Sequence, residues 1–271
     1  MTRCFSRLTL LSTSLFRLGM LVVAALLAAC AGTEPSGLKI DRSVEAESHN
    51  SRISMIVLHY TAADAPTSLN ILSKQKVSSH YLITDDRRPH VYQLVDEHRR
   101  AWHAGVSEWY GSTDVNSASI GIEIVNPGGS GDTWAPYSDA QIDTVIKLVR
   151  DVAARHDVRP HNIVGHSDVA PQRKTDPGPA FPWEKLAKAG VGRWYSTLQA
   201  EQYAVEFERE GLPDTLWMQN KLKRAGYAVP QSGELDKETR NVLAAFQMHY
   251  RPARHNGKPD AQTLGILKAL P

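Results

Sequence analysis

Ile53 to Tyr60 (ISMIVLHY) is apolar at nearly every position and carries His59 near its end. A strand that offers neither face to water must be covered on both, which places it at the centre of a sheet. Further strands are predicted at Tyr81-Leu82-Ile83, at Val91 to Val95 and at Ile163-Val164. Ser119 to Val125 alternates, with Ile120, Ile122 and Ile124 on one side and Ser119, Gly121, Glu123 and Val125 on the other. Ser138 and Gln141 form a capping box ahead of a helix whose apolar stripe is Ile142, Val145, Ile146, Val149 and Val152. That helix stops before Pro160. Strands alternating with helices predict an α/β sheet covered by helices. Asp168 to Trp183 is rich in Pro and Gly and reads as a structured loop at a strand end, where functional side chains gather.

The texture changes near Asp214. Gly233-Glu234-Leu235-Asp236-Lys237-Glu238-Thr239 recurs as Gly257-Lys258-Pro259-Asp260-Ala261-Gln262-Thr263. In each copy Gly closes a turn and Asp caps a new helix. Val242, Leu243 and Phe246 supply an apolar face to the first copy, and Leu264 and Leu267 to the second. A helix with Leu216, Leu222 and Ala225, ended by Gly226, precedes them. Three short helices predict a small bundle over 214–271.

The N-terminus has its own character. Arg3, Arg7 and Arg17 are its only charges, and an apolar run from Met20 to Ala29 leads into Cys30. A basic start, a short apolar core and small residues before the break read as a secretion signal over 1–29, too short for a membrane span. Leu27-Ala28-Ala29-Cys30 resembles a lipobox, which makes Cys30 a lipidation site. Cleavage there removes Cys4, leaving one cysteine and no internal disulfide. Losing the three arginines takes 31 basic residues to 28, against 29 acidic ones. A chain this neutral, without a block of like charge, is not built for nucleic acid. The expected order is a signal at 1–29, the lipidated Cys30 and a tether over 30–50, a main domain at 51–200, a partly helical linker at 201–213 and the bundle.

His59, His166 and Asp176 are candidate metal ligands. The histidines end apolar runs, and Asp176 follows His166 by ten residues in the Pro/Gly loop. A catalytic zinc takes three such N and O ligands and keeps a fourth position open. The chain has eleven histidines, so spacing alone leaves two readings standing, ligands or satisfied buried groups. His80 or His103 is an alternative third ligand.

Several blocks together are more specific. Gly165 to Pro179 (GHSDVAPQRKTDPGP) closely resembles the C-terminal motif of zinc amidases of the AmpD/AmiD type, the amidase-2 family. Val57-Leu58-His59-Tyr60-Thr61-Ala62, Ser78-Ser79-His80-Tyr81-Leu82, Ala101-Trp102-His103-Ala104-Gly105 and Ser119-Ile120-Gly121-Ile122-Glu123 match further blocks in order. The resemblance spans roughly Ile53 to Trp183. The leader and second domain point to its outer-membrane lipoprotein branch, and the repeat resembles the type 1 peptidoglycan-binding domain.

The resemblance implies a central mixed β-sheet flanked by helices, like peptidoglycan-recognition proteins. It implies an N-acetylmuramoyl-L-alanine amidase with one zinc per chain on His59, His166 and Asp176. Glu123 is then the general base and Lys174 the oxyanion stabiliser. Tyr60, Thr61, His80, Trp102, His103, Asn126 and Arg173 are expected to face substrate. The implied partners are peptidoglycan, muropeptides and, through lipid on Cys30, the membrane. Ala31 and Gly32 after Cys30 suggest passage to the periplasmic face of the outer membrane. Three other readings compete: a non-catalytic peptidoglycan-binding lipoprotein, a cytoplasmic recycling amidase and a zinc protease. The leader weighs against the second, and the lack of a His-Glu-x-x-His helix against the third.

Overall fold

The computed structural model describes Leu38 and residues 40–271; the expected leader and Cys30 lie outside them. Residues 40–49 carry neither helix nor strand. From there the chain runs β1 (Met55–Tyr60), α1 (Ala65–Lys74), β2 (Tyr81–Ile83), β3 (Val91–Gln93), α2 (Val115–Ala118) and β4 (Ser119–Ile124). A small hairpin, β5 (Gly129–Ser130) and β6 (Thr133–Trp134), leads to α3 (Asp139–His156), β7 (Ile163–Gly165), α4 (His166–Val169) and α5 (Trp183–Lys188). Four helices complete it: α6 (Thr197–Glu210), α7 (Thr215–Arg224), α8 (Lys237–Tyr250) and α9 (Ala261–Ala269). No helix among the described residues is long and apolar enough to cross a membrane.

The main sheet has the order β3-β2-β4-β1-β7. β1 lies between β4 and β7, parallel to both, β2 is parallel to β4, and β3 is antiparallel at the edge. Ile56, Leu58, Ile120, Ile122, Ile124 and Ile163 pack with Ile142, Val145, Ile146, Val149 and Val152 of α3 in one core. Each such side chain contributes roughly 1.5–3 kcal/mol on burial. The expected capping box on α3 is only half made. Ser138 accepts from Gln141 N, but the Gln141 amide donates to the carbonyls of Thr84 and Val125. Those carbonyls lie where the sheet ladder ends and need a buried donor.

The far end of α3 closes on Glu97. Its carboxylate accepts from Tyr81 Oη at 2.6 Å, from His156 Nε2 at 2.8 Å and from two nitrogens of Arg155. Burial alone pushes this carboxyl up, and the bonds from Arg155, Tyr81 and His156 outweigh it, leaving it at about 2. A lowered carboxyl adds stability above its unfolded value of 4.5 and loses it as pH falls toward about 2. Glu97→Gln is therefore expected to lower the melting temperature at neutral pH. Melts recorded down an acid series should show the gap to wild type closing over that window.

The opposite face of the sheet is covered by the C-terminal helices. Met55, Val57 and Val164 belong to one continuous core with Trp109, Val169, Tyr227, Val242, Phe246 and Leu264. The three expected helices are α7, α8 and α9, though Leu216 turns outward at 43 % exposure. Much of the span expected as a linker, 201–213, is instead part of α6, a fourth helix packed on α9. Gly265 explains the close crossing: a Cβ there would come within 2.5 Å of the Ala200 carbonyl.

The repeat is organised by two glutamines. Gln219 Oε1 accepts from Gly233 N, while its amide donates to Thr239 Oγ1 and Glu234 O. Gln247 does the same with Gly257 N, Thr263 Oγ1 and Lys258 O. Asp236 and Asp260 cap α8 and α9 by accepting from Thr239 N and Thr263 N. Each copy is thus a turn pinned to the preceding helix by one buried, satisfied amide.

Candidate metal centre and active-site cleft

Strand register builds the site. His59 pairs with Glu123 across β1 and β4, and Leu58 with Gly165 across β1 and β7. His166, one residue beyond Gly165, therefore flanks His59 on its other side. In-register residues of parallel strands share a face, so Glu123, His59 and His166 form a row at the sheet's C-terminal edge. Asp176 closes the group from the loop after α4, and its carbonyl accepts from Ser167 N at 2.8 Å.

Three atoms converge. His59 Nδ1 lies 2.9 Å from Asp176 Oδ2 and 3.0 Å from His166 Nδ1, and His166 Nδ1 lies 3.0 Å from the same oxygen. The outer nitrogens decide which of these atoms carry protons. Ser119 Oγ donates to the Val115 carbonyl at 2.5 Å, so it accepts from His103 Nε2 at 3.2 Å. His103 Nδ1 then accepts from His59 Nε2 at 3.1 Å. His166 Nε2 faces the Ala104 carbonyl at 3.0 Å, which only accepts. In the neutral rings both inner Nδ1 atoms are bare lone pairs, turned on each other and on a carboxylate. Burial and the neighbouring His166 push His59 down to about 4, which favours its neutral form. Burial, then His59, lowers His103 well below its usual value. Three converging lone pairs of N, N and O type repel one another without a cation and match the donor set of a zinc site with an open position. Among the described residues this is the group of His, Cys, Asp or Glu that could hold a metal ion.

Glu123 stands beside it with Oε2 buried and without a hydrogen-bond partner. Burial pushes its carboxyl well above the usual range, the Asp176 charge adds to this, and Lys174 opposes it. Such a group is poised to take and return a proton rather than to stay ionised. Glu123 and Lys174 both line a cleft of about 400 Å³ that also holds the three converging residues.

Tyr60, Thr61, Trp102, His103 and Arg173 line the same cleft. Tyr60 Oη meets Thr175 Oγ1 at 3.2 Å, and Trp102 is half exposed beneath the Arg100 guanidinium. Arg173 is less free than expected, since its guanidinium donates to the carbonyls of Ala104 and Val106. His80 and Asn126 are not on the cleft wall. His80 is fully buried, with Nδ1 accepting from Gly121 N and Nε2 on the Arg99 carbonyl. Asn126 donates to Ala135 O and Pro136 O and accepts from Gly128 N. Both satisfy backbone groups where the sheet gives way to loops, and so have nothing left to offer a substrate. His80 and His103, the alternative third ligands, stand outside the converging group, and their nitrogens bond elsewhere.

Two contributors escaped the sequence reading. Ser119 fixes the His103 tautomer, and alternation along β4 had already put it on the Glu123 face. Gly121 makes room for the His103 ring, since a Cβ there would come within 2.4 Å of Cγ.

Residues 49–179 match the N-acetylmuramoyl-L-alanine amidase model Amidase_2, and 212–267 match the peptidoglycan binding domain PG_binding_1. The chain is 41 % identical over 264 residues to N-acetylmuramoyl-L-alanine amidase AmiD of Escherichia coli K12, covering 93 % of this chain and 95 % of the relative. Among solved structures it is similar to AmpDh3 of Pseudomonas aeruginosa, with TM-score 0.81 and 39 % identity over 86 % of this chain and 97 % of that one. The E. coli AmiD complex with its substrate anhydro-N-acetylmuramic acid-L-Ala-D-γ-Glu-L-Lys matches at TM-score 0.77 and 40 % identity, over 88 % of this chain and 96 % of that one. With a relative this similar along nearly the whole chain, the protein belongs to the Amidase_2 family of N-acetylmuramoyl-L-alanine amidases.

Proposed function

We propose that this cleft hydrolyses the amide between the muramoyl lactyl carbonyl and the L-alanine of the stem peptide, with zinc held by His59, His166 and Asp176. The observation that carries this reading is the convergence of three bare donor atoms beside the unpartnered carboxylate oxygen of Glu123. Bound there, zinc would polarise the scissile carbonyl and bring the pKa of a bound water down to about 7. Glu123 takes the proton of the attacking water and later passes it to the leaving amine. The Lys174 ammonium stabilises the negative charge that develops on the carbonyl oxygen. Tyr60 and Thr61 line one side of the bound chain and Trp102 the rim. The His103–Ser119 relay holds His59 in the tautomer that leaves Nδ1 free.

Anhydromuramyl peptides, as in the complexes of the two relatives, are the substrate class to try first. We assign catalysis to the sheet domain and wall attachment to the helical domain, in keeping with the PG_binding_1 match. Cys30 is proposed as a lipid anchor that keeps the enzyme at the periplasmic face of the outer membrane. Globomycin treatment of expressing cells should then accumulate the uncleaved precursor.

The test of activity is incubation with purified muropeptides, with and without a chelator, read by mass spectrometry. The expected result is release of intact stem peptide with a free L-alanine amine, abolished by chelation and restored by zinc. Retention on sacculi without cleavage by zinc-loaded protein would replace this reading with a binding protein.

A further inference from the structure

Asp168 is 1 % exposed and serves both domains. Its Oδ2 accepts from Gly165 N and from His249 Nδ1, each at 2.8 Å, and its Oδ1 accepts from Tyr227 Oη at 2.7 Å. Gly165 and Asp168 bracket His166. Tyr227 and His249 belong to the helical domain, where His249 is stacked between Trp183 and Tyr250 at 3.9 and 4.1 Å. The same loop is held again at Gln172, whose amide donates to Glu238 O at 3.0 Å and accepts from Asn241 Nδ2 at 2.9 Å. Next to the first of these ties, Ser167 N is bonded to Asp176 O. The segment that carries His166, Lys174 and Asp176 is thus fastened to the helical domain at two points.

We propose that Asp168 is a positioning residue through which the helical domain sets the orientation of His166, and with it the metal affinity of the site. The proposal rests on the zinc-amidase reading above. Burying a carboxylate between domains is a poor way to glue them, because apolar side chains of similar volume do so without the desolvation cost. It is a good way to fix one turn, since three donors from two directions leave the carboxylate one orientation. Ties made directly to a metal ligand aim it, and losing one typically costs about 10–100-fold in affinity; Asp168 acts one bond further out, through the backbone of Gly165, which places the expected effect at the lower end.

The test uses full-length, metal-free protein and two variants. Tyr227→Phe removes one hydroxyl, and His249→Phe keeps the stack while removing the Nδ1 donor. Zinc affinity is read by competition with a chromogenic chelator, and domain packing by thermal melting of the same metal-free samples. The expected result is zinc binding weakened about tenfold in each folded variant. Lys268→Ala, which breaks an ion pair with Glu206 elsewhere in the helical domain, should leave affinity unchanged. If His249→Phe fails to fold, Tyr227→Phe decides alone. Wild-type zinc affinity in Tyr227→Phe, even with a lowered melting temperature, would make the cluster mere packing and overturn the proposal. A wild type that takes up no zinc would instead overturn the metal reading itself, a result visible before any variant is compared.

Discussion

Asp176→Ala is expected to lose zinc and activity together. The variant keeps two histidine nitrogens 3.0 Å apart and removes the one anionic donor facing both. Two neutral ligands hold a divalent ion poorly, so the loss should exceed the roughly 100-fold ceiling seen when only an outer-shell partner is removed. Turnover should fall with metal content, and added zinc should recover only part of it. The measurement is metal analysis after dialysis, paired with muropeptide cleavage across a zinc series. Full zinc content with full turnover would mean that the third ligand lies elsewhere.

Glu123→Gln is expected to separate chemistry from binding. Glutamine keeps the shape but takes no proton, so kcat should drop by about 10²–10⁴-fold while KM and zinc content stay near wild type. A second consequence concerns stability. In the metal-free protein the Glu123 carboxyl sits well above its unfolded value of 4.5. Between those two values the folded chain holds a proton that the unfolded chain has released, so stability falls as pH rises through the window. Glutamine carries no such penalty. Metal-free Glu123→Gln should therefore melt above metal-free wild type at neutral pH, with the difference vanishing below about pH 4.5, the unfolded carboxyl value. A variant that melts lower at neutral pH would show that Glu123 is not held protonated by its surroundings.

Much of this site could be read from local pattern. The unbroken apolar run of β1 placed His59 at the end of a central strand, and alternation along β4 put Glu123 opposite three isoleucines. Both readings rest on side-chain periodicity, which short segments carry by themselves. Partners chosen by tertiary structure were another matter. His80 and Arg173 sit in family motifs and Asn126 lies three residues past one, yet their polar atoms go to backbone groups left over at strand ends and loop turns. No pattern in sequence shows which carbonyl will lack a donor. Gln141 is the same case, since its position suited a capping box while its amide answered two carbonyls of the sheet. The glycines and capping aspartates of the repeat were visible. The glutamines that pin each turn were not, because Gln219 precedes its Gly by 14 residues and Gln247 by 10. The docking of the helical domain through Asp168 joins positions 59 and 81 residues apart, far beyond any local signal.

The pairing of β1 with β4 has a consequence for quality control during folding. One register serves both the isoleucine core and the strand-end row, because His59 and Glu123 are neighbours on the same ladder as Leu58 and Ile122. A slip of one residue would exchange the faces of a strand, driving polar side chains into the α3 core and turning isoleucines toward the cleft. Such a chain would lose its cohesion along with its chemistry. There is therefore little room for a well-folded population with a scrambled strand-end row, and protease-resistant molecules should share one alignment of His59 with Glu123.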